Sequence, residues 1–144
     1  MSNVPDNRDT FNLKDKTFIE TKALPSTTTV YSTGFDINAL TAKGARLADM
    51  EVLISVPDVA VGSLANGATL KVSLIKDTAK PLDASSTVVV TDGIDMLGAG
   101  GVGDEGQSFR MKLPTDCSQY IGISITTSAD ATVDAQVATM ELLF

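Results

Sequence analysis

Histidine and tryptophan are absent from this 144-residue sequence, and cysteine occurs once, as Cys117. Without His the chain lacks the commonest general base and the commonest metal ligand. A lone Cys excludes an intrachain disulfide and zinc sites built on several thiolates, so folding rests on packing. Aromatic residues make up 5% of the chain and include two Tyr, which leaves little material for the exposed ring platforms that hold sugars. No apolar run approaches the roughly 18 to 20 residues of a membrane-crossing helix. The start, Met1-Ser2-Asn3-Val4-Pro5-Asp6, leads into Arg8, Asp9, Lys14, Asp15 and Lys16 instead of an apolar signal segment. The expectation is a soluble protein, without a membrane partner, that folds in a cytoplasm. Basic residues are also scarce, 11 against 18 acidic ones, for a net charge of -7. Because phosphate contacts need clustered Lys and Arg, nucleic acid is not an expected partner. Such acidity suits solubility at high local concentration, or docking onto a basic surface.

What the chain does contain is period-two alternation. Met50, Val52, Ile54 and Val56 share one parity, as do Leu70, Val72 and Leu74, then Phe109, Met111 and Leu113, then Ile121, Ile123 and Ile125. That is the pattern of half-buried strands. Seven such runs, separated by Gly, Pro, Asp and Ser and with no long helical pattern between them, predict an all-β chain. The architecture expected is a jelly-roll-like β-sandwich of about eight antiparallel strands in two packed sheets. At this length one hydrophobic core suffices, burying roughly 70% of the surface of the unfolded chain.

Two regions follow along the chain. Residues 1–26 are polar and aperiodic, with isolated Phe11, Leu13, Phe18, Ile19 and Leu24 before Pro25, and are assigned as an extended N-terminal arm. Residues 27–144 are assigned as the sandwich. A first strand is expected over 27–36 with a bend at Gly34, then one or two helical turns stopped by Gly44. Strands follow over 48–56 and 69–76, with Asn66-Gly67 as a type I′ turn signal between Leu64-Ala65 and Ala68-Thr69-Leu70. The β-branched run Thr87-Val88-Val89-Val90-Thr91 predicts a strand near the middle of a sheet. A Gly-rich loop over 93–106 is expected next, and then strands over 107–113, 119–127 and 133–144.

Few residues offer chemistry. Gly98-Ala99-Gly100-Gly101-Val102-Gly103 matches G-x-G-x-x-G letter for letter, yet Asp104-Glu105-Gly106 and a strand follow where a dinucleotide site needs a helix, and the carboxylates would repel a phosphate. A loop at one end of the sandwich is the expectation. Asp92, Asp95, Asp104 and Glu105 surround that loop, and Asp130 and Asp134 flank the last turn. Oxygen-rich loops hold calcium, but D-G-I-D lacks the alternating ligands of an EF-hand, so no metal is assigned. Nothing selects a carboxylate pair for glycoside hydrolysis, and Cys117 has no His to activate it. No catalytic residue and no cofactor are assigned. Arg110 and Lys112 alternate with Phe109, Met111 and Leu113, so they project from the opposite face of their strand. A solvated face is the ordinary reading; the other is that, with Lys71 and Lys76, they mark an exposed sheet face that meets acidic groups of a partner.

The polar arm, Ala45-Arg46-Leu47-Ala48-Asp49-Met50-Glu51-Val52, Ala68-Thr69-Leu70-Lys71-Val72-Ser73-Leu74, Tyr120-Ile121-Gly122-Ile123-Ser124 and a closing strand together resemble the capsid cement, or decoration, proteins of tailed bacteriophages. The likeness is to the jelly-roll cement proteins of Bordetella short-tailed phages and their relatives. It spans most of the chain and rests on strand patterns. The resemblance implies a non-enzymatic virion protein on the exterior of the capsid, assembled in the bacterial host cytoplasm. It implies major capsid protein as partner and a homo-oligomer, a dimer or a trimer, that bridges capsomers. Partner contacts are then expected at Phe11, Leu13 and Phe18 of the arm and at Arg110 and Lys112. The alternative is a jelly-roll carbohydrate-binding or tail-associated adhesion module, which the shortage of aromatic rings disfavours. An enzyme ranks third.

Overall fold

The computed structural model describes residues 18–42, 44, 50–60, 62–101, 103–117, 119–128 and 136–143. The alternating segments become strands: β1 (Ile19–Ala23), β2 (Thr29–Tyr31), β3 (Phe35–Asp36), β4 (Glu51–Val56), β5 (Thr69–Asp77), β6 (Thr87–Leu97), β7 (Gln107–Lys112), β8 (Tyr120–Thr127) and β9 (Val137–Leu143). One short helix, α1 (Ile37–Ala42), follows β3 and stops before Gly44, whose φ is +95°, a conformation that Gly adopts without steric cost.

All pairings are antiparallel. The first sheet runs β1-β9-β4-β7, and the second runs β2-β8-β5-β6 with β3 also on β8. β2 and β3 lie end to end along β8, Thr29–Tyr31 against Ser124–Thr126 and Phe35–Asp36 against Tyr120–Ile121. They are one edge interrupted at Ser32–Gly34. Counted so, there are eight strand positions, and the two sheets interleave early and late strands as a jelly roll does.

The core lies between the sheets because each strand turns one parity inward. Val52, Ile54 and Val56 of β4, with Ala138, Met140 and Leu142 of β9, face Leu70, Val72 and Leu74 of β5 and Ile121, Ile123 and Ile125 of β8. All are at most 5% exposed, and each large side chain among them contributes about 1.5 to 3 kcal/mol of transfer free energy. A second, smaller apolar contact sits on the outer face of the second sheet. There the β5–β6 loop lays Leu82 over Gly34 and Gly122, beside buried Ile75. A Cβ at Gly122 would lie 2.5 Å from the Ser32 Oγ and collide with Leu82, which explains a glycine in a central strand.

Four expectations need correction. Part of the segment assigned to the arm, Ile19–Ala23, is a strand of the first sheet, and the following Leu24 is a core residue 1% exposed; Leu24 and Phe18, one at each end of the strand, pack on the core. The run 87–91 belongs to an edge strand, since β6 pairs with β5 alone, and Val88 is half exposed. The strand also continues to Leu97, so the Gly-rich loop is shorter. Its alternation was hidden by two register shifts against β5, one of them at Asp92, where φ is +49° and the amide nitrogen donates to the Ser73 Oγ. Asn66-Gly67 does not make a type I′ hairpin. Positive φ occurs at Gly67 alone, the Ala68 nitrogen donates to the Ala65 carbonyl, and the turn pairs with Gly98 rather than with its own flanks.

Candidate functional site

The loops joining β4 to β5 and β6 to β7 meet at one end of the sandwich. Val59 and Asp104 form a two-way backbone bridge, the Gly67 nitrogen donates to the Gly98 carbonyl, and the Gly98 nitrogen donates to the Ala68 carbonyl. Side chains staple the same loops. Asn66 Oδ1 accepts from the Gly101 nitrogen at 2.9 Å, Asp58 Oδ1 from the Gly106 nitrogen at 2.6 Å, and Asp104 Oδ2 from the Leu97 nitrogen at 2.9 Å. Gly98 and Gly106 thus serve close backbone approach, whereas Gly100 and Gly101 supply positive φ in open space. A Cβ on Gly98 would collide with the Ala65 carbonyl oxygen and lie 2.5 Å from that of Leu64. The segment opens no helix, and β7 begins at Gln107, so the dinucleotide fingerprint lacks its structural context.

The acidic residues around this loop do not form a cation site. Asp92 and Asp95 flank Lys71, whose Nζ lies 3.1 Å from one carboxylate and 3.7 Å from the other. The hydrogen bond and charge of Asp92, then the charge of Asp95, raise the Lys71 ammonium above the ordinary lysine value. Asp104 is occupied by backbone donors. Among the described residues no group of three or more His, Cys, Asp or Glu side chains is placed to hold a metal ion. Asp130 and Asp134 lie outside the described residues.

Of the predicted partner contacts, Phe11 and Leu13 also lie outside the described residues. Phe18 is partly buried and packs against the protein's own core. Arg110 and Lys112 do project from the outer face of the first sheet, where Lys112 is in register with Glu51 and Arg110 with Leu53. The Arg110 Nε donates to Glu51 Oε2 at 2.7 Å, and the guanidinium remains 60% exposed. Lys71 and Lys76 do not extend this face. Both belong to the second sheet, and the Lys76 ammonium reaches the β7–β8 loop to pair with Asp116 at 3.2 Å and with its carbonyl oxygen at 2.9 Å. The four cations are split between sheets because β5 and β7 are never neighbours. Cys117 follows Asp116 in that loop as a half-buried thiol, and burial pushes its pKa up. That disfavours the thiolate a nucleophile requires.

The opposite side of the sandwich has features that sequence reasoning passed over. Glu20 of β1 reaches across to the interruption between β2 and β3, where its carboxylate accepts from the Thr33 nitrogen at 2.6 Å and from the Gly34 nitrogen at 3.0 Å. Two successive backbone N–H groups make an anion-binding concavity, and Gly34 supplies the positive φ, +85°, that it needs. Glu20 thereby latches one sheet to the other. Two residues on, the Lys22 ammonium makes no ion pair among the described residues. The available signal was the alternation of Ile19-Glu20-Thr21-Lys22-Ala23. Among the described residues, aromatic rings offer no platform. Tyr120 lies under the Lys80 ammonium at 5.0 Å, and every described Phe and Tyr is at least partly buried.

No family model matches the chain, and no curated protein matches it. Among solved structures, the chain is similar to one from the naturally occurring empty particles of cowpea mosaic virus, the top component. The identity is 10%, the TM-score 0.42, and the match covers 86% of this chain and 78% of that one. A likeness of this degree carries no argument about function.

Proposed function

We propose that this chain is a structural virion protein, a cement protein that binds the outside of a bacteriophage capsid and stabilises it by bridging neighbouring capsomers. The observation that carries this reading is the strand order. The two interleaved four-stranded sheets have the jelly-roll topology that the sequence resemblance to phage cement proteins implies. The disposition of charge supports it. Asp58 and Asp104 are engaged in stapling the loops, and the first sheet turns outward a regular face on which Glu51, Glu141, Arg110 and Lys112 balance. Such a face meets a protein surface without the repulsion that a net charge of -7 would otherwise bring. The partners are major capsid protein and further copies of this chain. Assembly takes place in the bacterial host cytoplasm, and many copies on one shell make weak individual contacts sufficient. The partly buried aromatic rings give no support to a carbohydrate-binding module.

The test is co-sedimentation of the purified chain with expanded, undecorated phage heads, against unexpanded proheads. Saturable binding to expanded heads at a fixed ratio to major capsid protein is expected. Arg110→Ala combined with Lys112→Ala lowers the affinity while the circular dichroism spectrum stays the same. Absence of binding to either form overturns the proposal.

A further inference from the structure

We propose that the free side of β1 is a self-complementary edge through which two copies of this chain pair as antiparallel strands about a two-fold axis. The inference names the homotypic contact of the oligomer proposed above, and rests on that reading only for there being an oligomer.

β1 is the outermost strand of the first sheet, bonded to β9 on one side and to no described strand on the other. Its pairing with β9 is regular over all five residues, Ile19 against Glu141 through Ala23 against Val137. Ile19, Thr21 and Ala23 therefore share the outer face, and Glu20 and Lys22 the inner one. A second β1 laid antiparallel and centred on Thr21 sets Ile19 opposite the partner's Ala23, Thr21 opposite the partner's Thr21, and Glu20 opposite the partner's Lys22. Each facing pair falls on the same side of the joined sheet, as antiparallel geometry demands. The contents match as well: apolar with apolar, hydroxyl with hydroxyl, and an ion pair made twice. Within one chain these charges have no such match. The Glu20 carboxylate meets backbone N–H groups and no cation, and Lys22 has no ion-pair partner among the described residues.

The other free edges do not offer this. β6 is broken by two register shifts against β5, and bulges twist an edge away from pairing. β7 carries Arg110 and Lys112 and no acid, so a two-fold pairing centred on it sets like charges together. The edge formed by β2 and β3 is interrupted at Ser32–Gly34. Inward charges such as Glu20 and Lys22 ordinarily deter edge pairing; here the two-fold register gives Lys22 an acidic partner and sets opposite charges face to face, and a parallel or shifted partner leaves like charges opposed. That gives selectivity for a copy of the same chain. Five residues span about 17 Å, and such an edge falls short of the roughly 1,200 Å² of a stable interface. Dimers of the free protein are accordingly weak, and become dominant where copies are concentrated on a surface.

The test uses the full chain carrying Cys117→Ser, with a single cysteine introduced by Thr21→Cys or, for comparison, by Thr139→Cys, which sits on the same outer face of the neighbouring internal strand. Under a mild oxidant, Thr21→Cys is expected to form an intermolecular disulfide about tenfold faster or more. Adding Lys22→Glu, which sets carboxylates face to face, is expected to remove that advantage and to weaken dimerisation in sedimentation equilibrium by about tenfold or more. Equal cross-linking at positions 21 and 139, or dimerisation indifferent to Lys22→Glu, overturns the proposal. Neither result bears on shell binding, which the co-sedimentation assay reads independently. Loss of shell binding with cross-linking retained would overturn the function and leave the edge standing.

Discussion

Replacing Gly98 by Ala tests whether the Gly-rich loop is a structural clamp. The added methyl would sit 2.5 Å from the Leu64 carbonyl oxygen and closer still to that of Ala65, whereas Cβ atoms in real structures stay beyond about 3 Å of such neighbours. Neither obstacle is a side chain that can rotate away. Relief requires the end of β6 to separate from the turn at Asn66-Gly67, breaking the bonds from the Gly67 nitrogen to the Gly98 carbonyl and from the Gly98 nitrogen to the Ala68 carbonyl. Each bond is worth about 0.5 to 1.5 kcal/mol net, and overpacking adds about 1 to 3 kcal/mol. The expected loss is therefore about 2 to 6 kcal/mol, a large part of the roughly 5 to 15 kcal/mol that holds such a domain together. In urea titration the midpoint falls with the slope unchanged, and in a thermal scan Tm drops by roughly 6 °C or more. Gly62→Ala is the internal control. A Cβ there meets nothing within 4 Å and the residue has no positive φ, so stability stays within about 0.5 kcal/mol of the parent. A Gly98→Ala protein as stable as the Gly62→Ala protein would refute the clamp.

Further outcomes follow from the same geometry. Ile123→Ala, at a site 1% exposed in the strand between β2 and β5, costs about 2 to 5 kcal/mol in denaturant unfolding; a loss below 1 kcal/mol would mean that the two sheets do not pack on it. Glu20→Ala strips the acceptor from the Thr33 and Gly34 nitrogens and costs about 1 to 3 kcal/mol, with faster amide exchange at residues 33 and 34; unchanged exchange there refutes the latch. The Lys71 amine titrates above the ordinary lysine value because of Asp92 and Asp95, so Asp92→Asn moves its NMR-detected titration to lower pH, and no movement would refute the ion pair. The Cys117 thiol, its pKa raised by burial, holds less thiolate at pH 8 than a free cysteine and is alkylated more slowly in the folded than in the unfolded chain; equal rates would place it in solvent.

The core was visible in the parity of particular residues. Met50, Val52, Ile54 and Val56, predicted to share one face, are all at most 3% exposed, and Ile121, Ile123 and Ile125 at most 1%. Gly34 and Gly44 mark the bend and the helix stop because each has a positive φ that sequence signals can anticipate. What escaped was anything decided by a distant strand. The run 87–91 has the composition of a central strand, but composition cannot tell whether one neighbour or two will arrive, and β6 has one. Its continuation to Leu97 was masked because the extra residues around Asp92 displace the alternation. Arg110 and Lys112 were correctly turned away from the core, while their grouping with Lys71 and Lys76 failed because it required knowing that β7 and β5 lie in different sheets. Glu20 was overlooked because its partners are backbone N–H groups at Thr33 and Gly34, which side-chain motifs do not report.

The interleaved strand order also dictates when this protein can acquire its shape. β9 lies between β1 and β4, and β8 joins β2 and β3 to β5; among the described strands the sole pairing between sequence neighbours joined by one loop is β5 with β6. During synthesis that hairpin can form and β4 can meet β7, but β1, β2 and β3 have nowhere to dock until residues 120–143 have been made. Leu24 of the first region, and Val52, Ile54 and Val56 of β4, all destined for the core, lack their β8 and β9 neighbours until the far end of the message has been read. Long-range pairing of this kind is slow and leaves unfinished chains prone to aggregate. A ribosome that stalls before residue 120 therefore releases a sticky, edge-rich fragment instead of a smaller stable domain, and a producing cell gains by completing each chain quickly or by shielding it until β8 and β9 emerge.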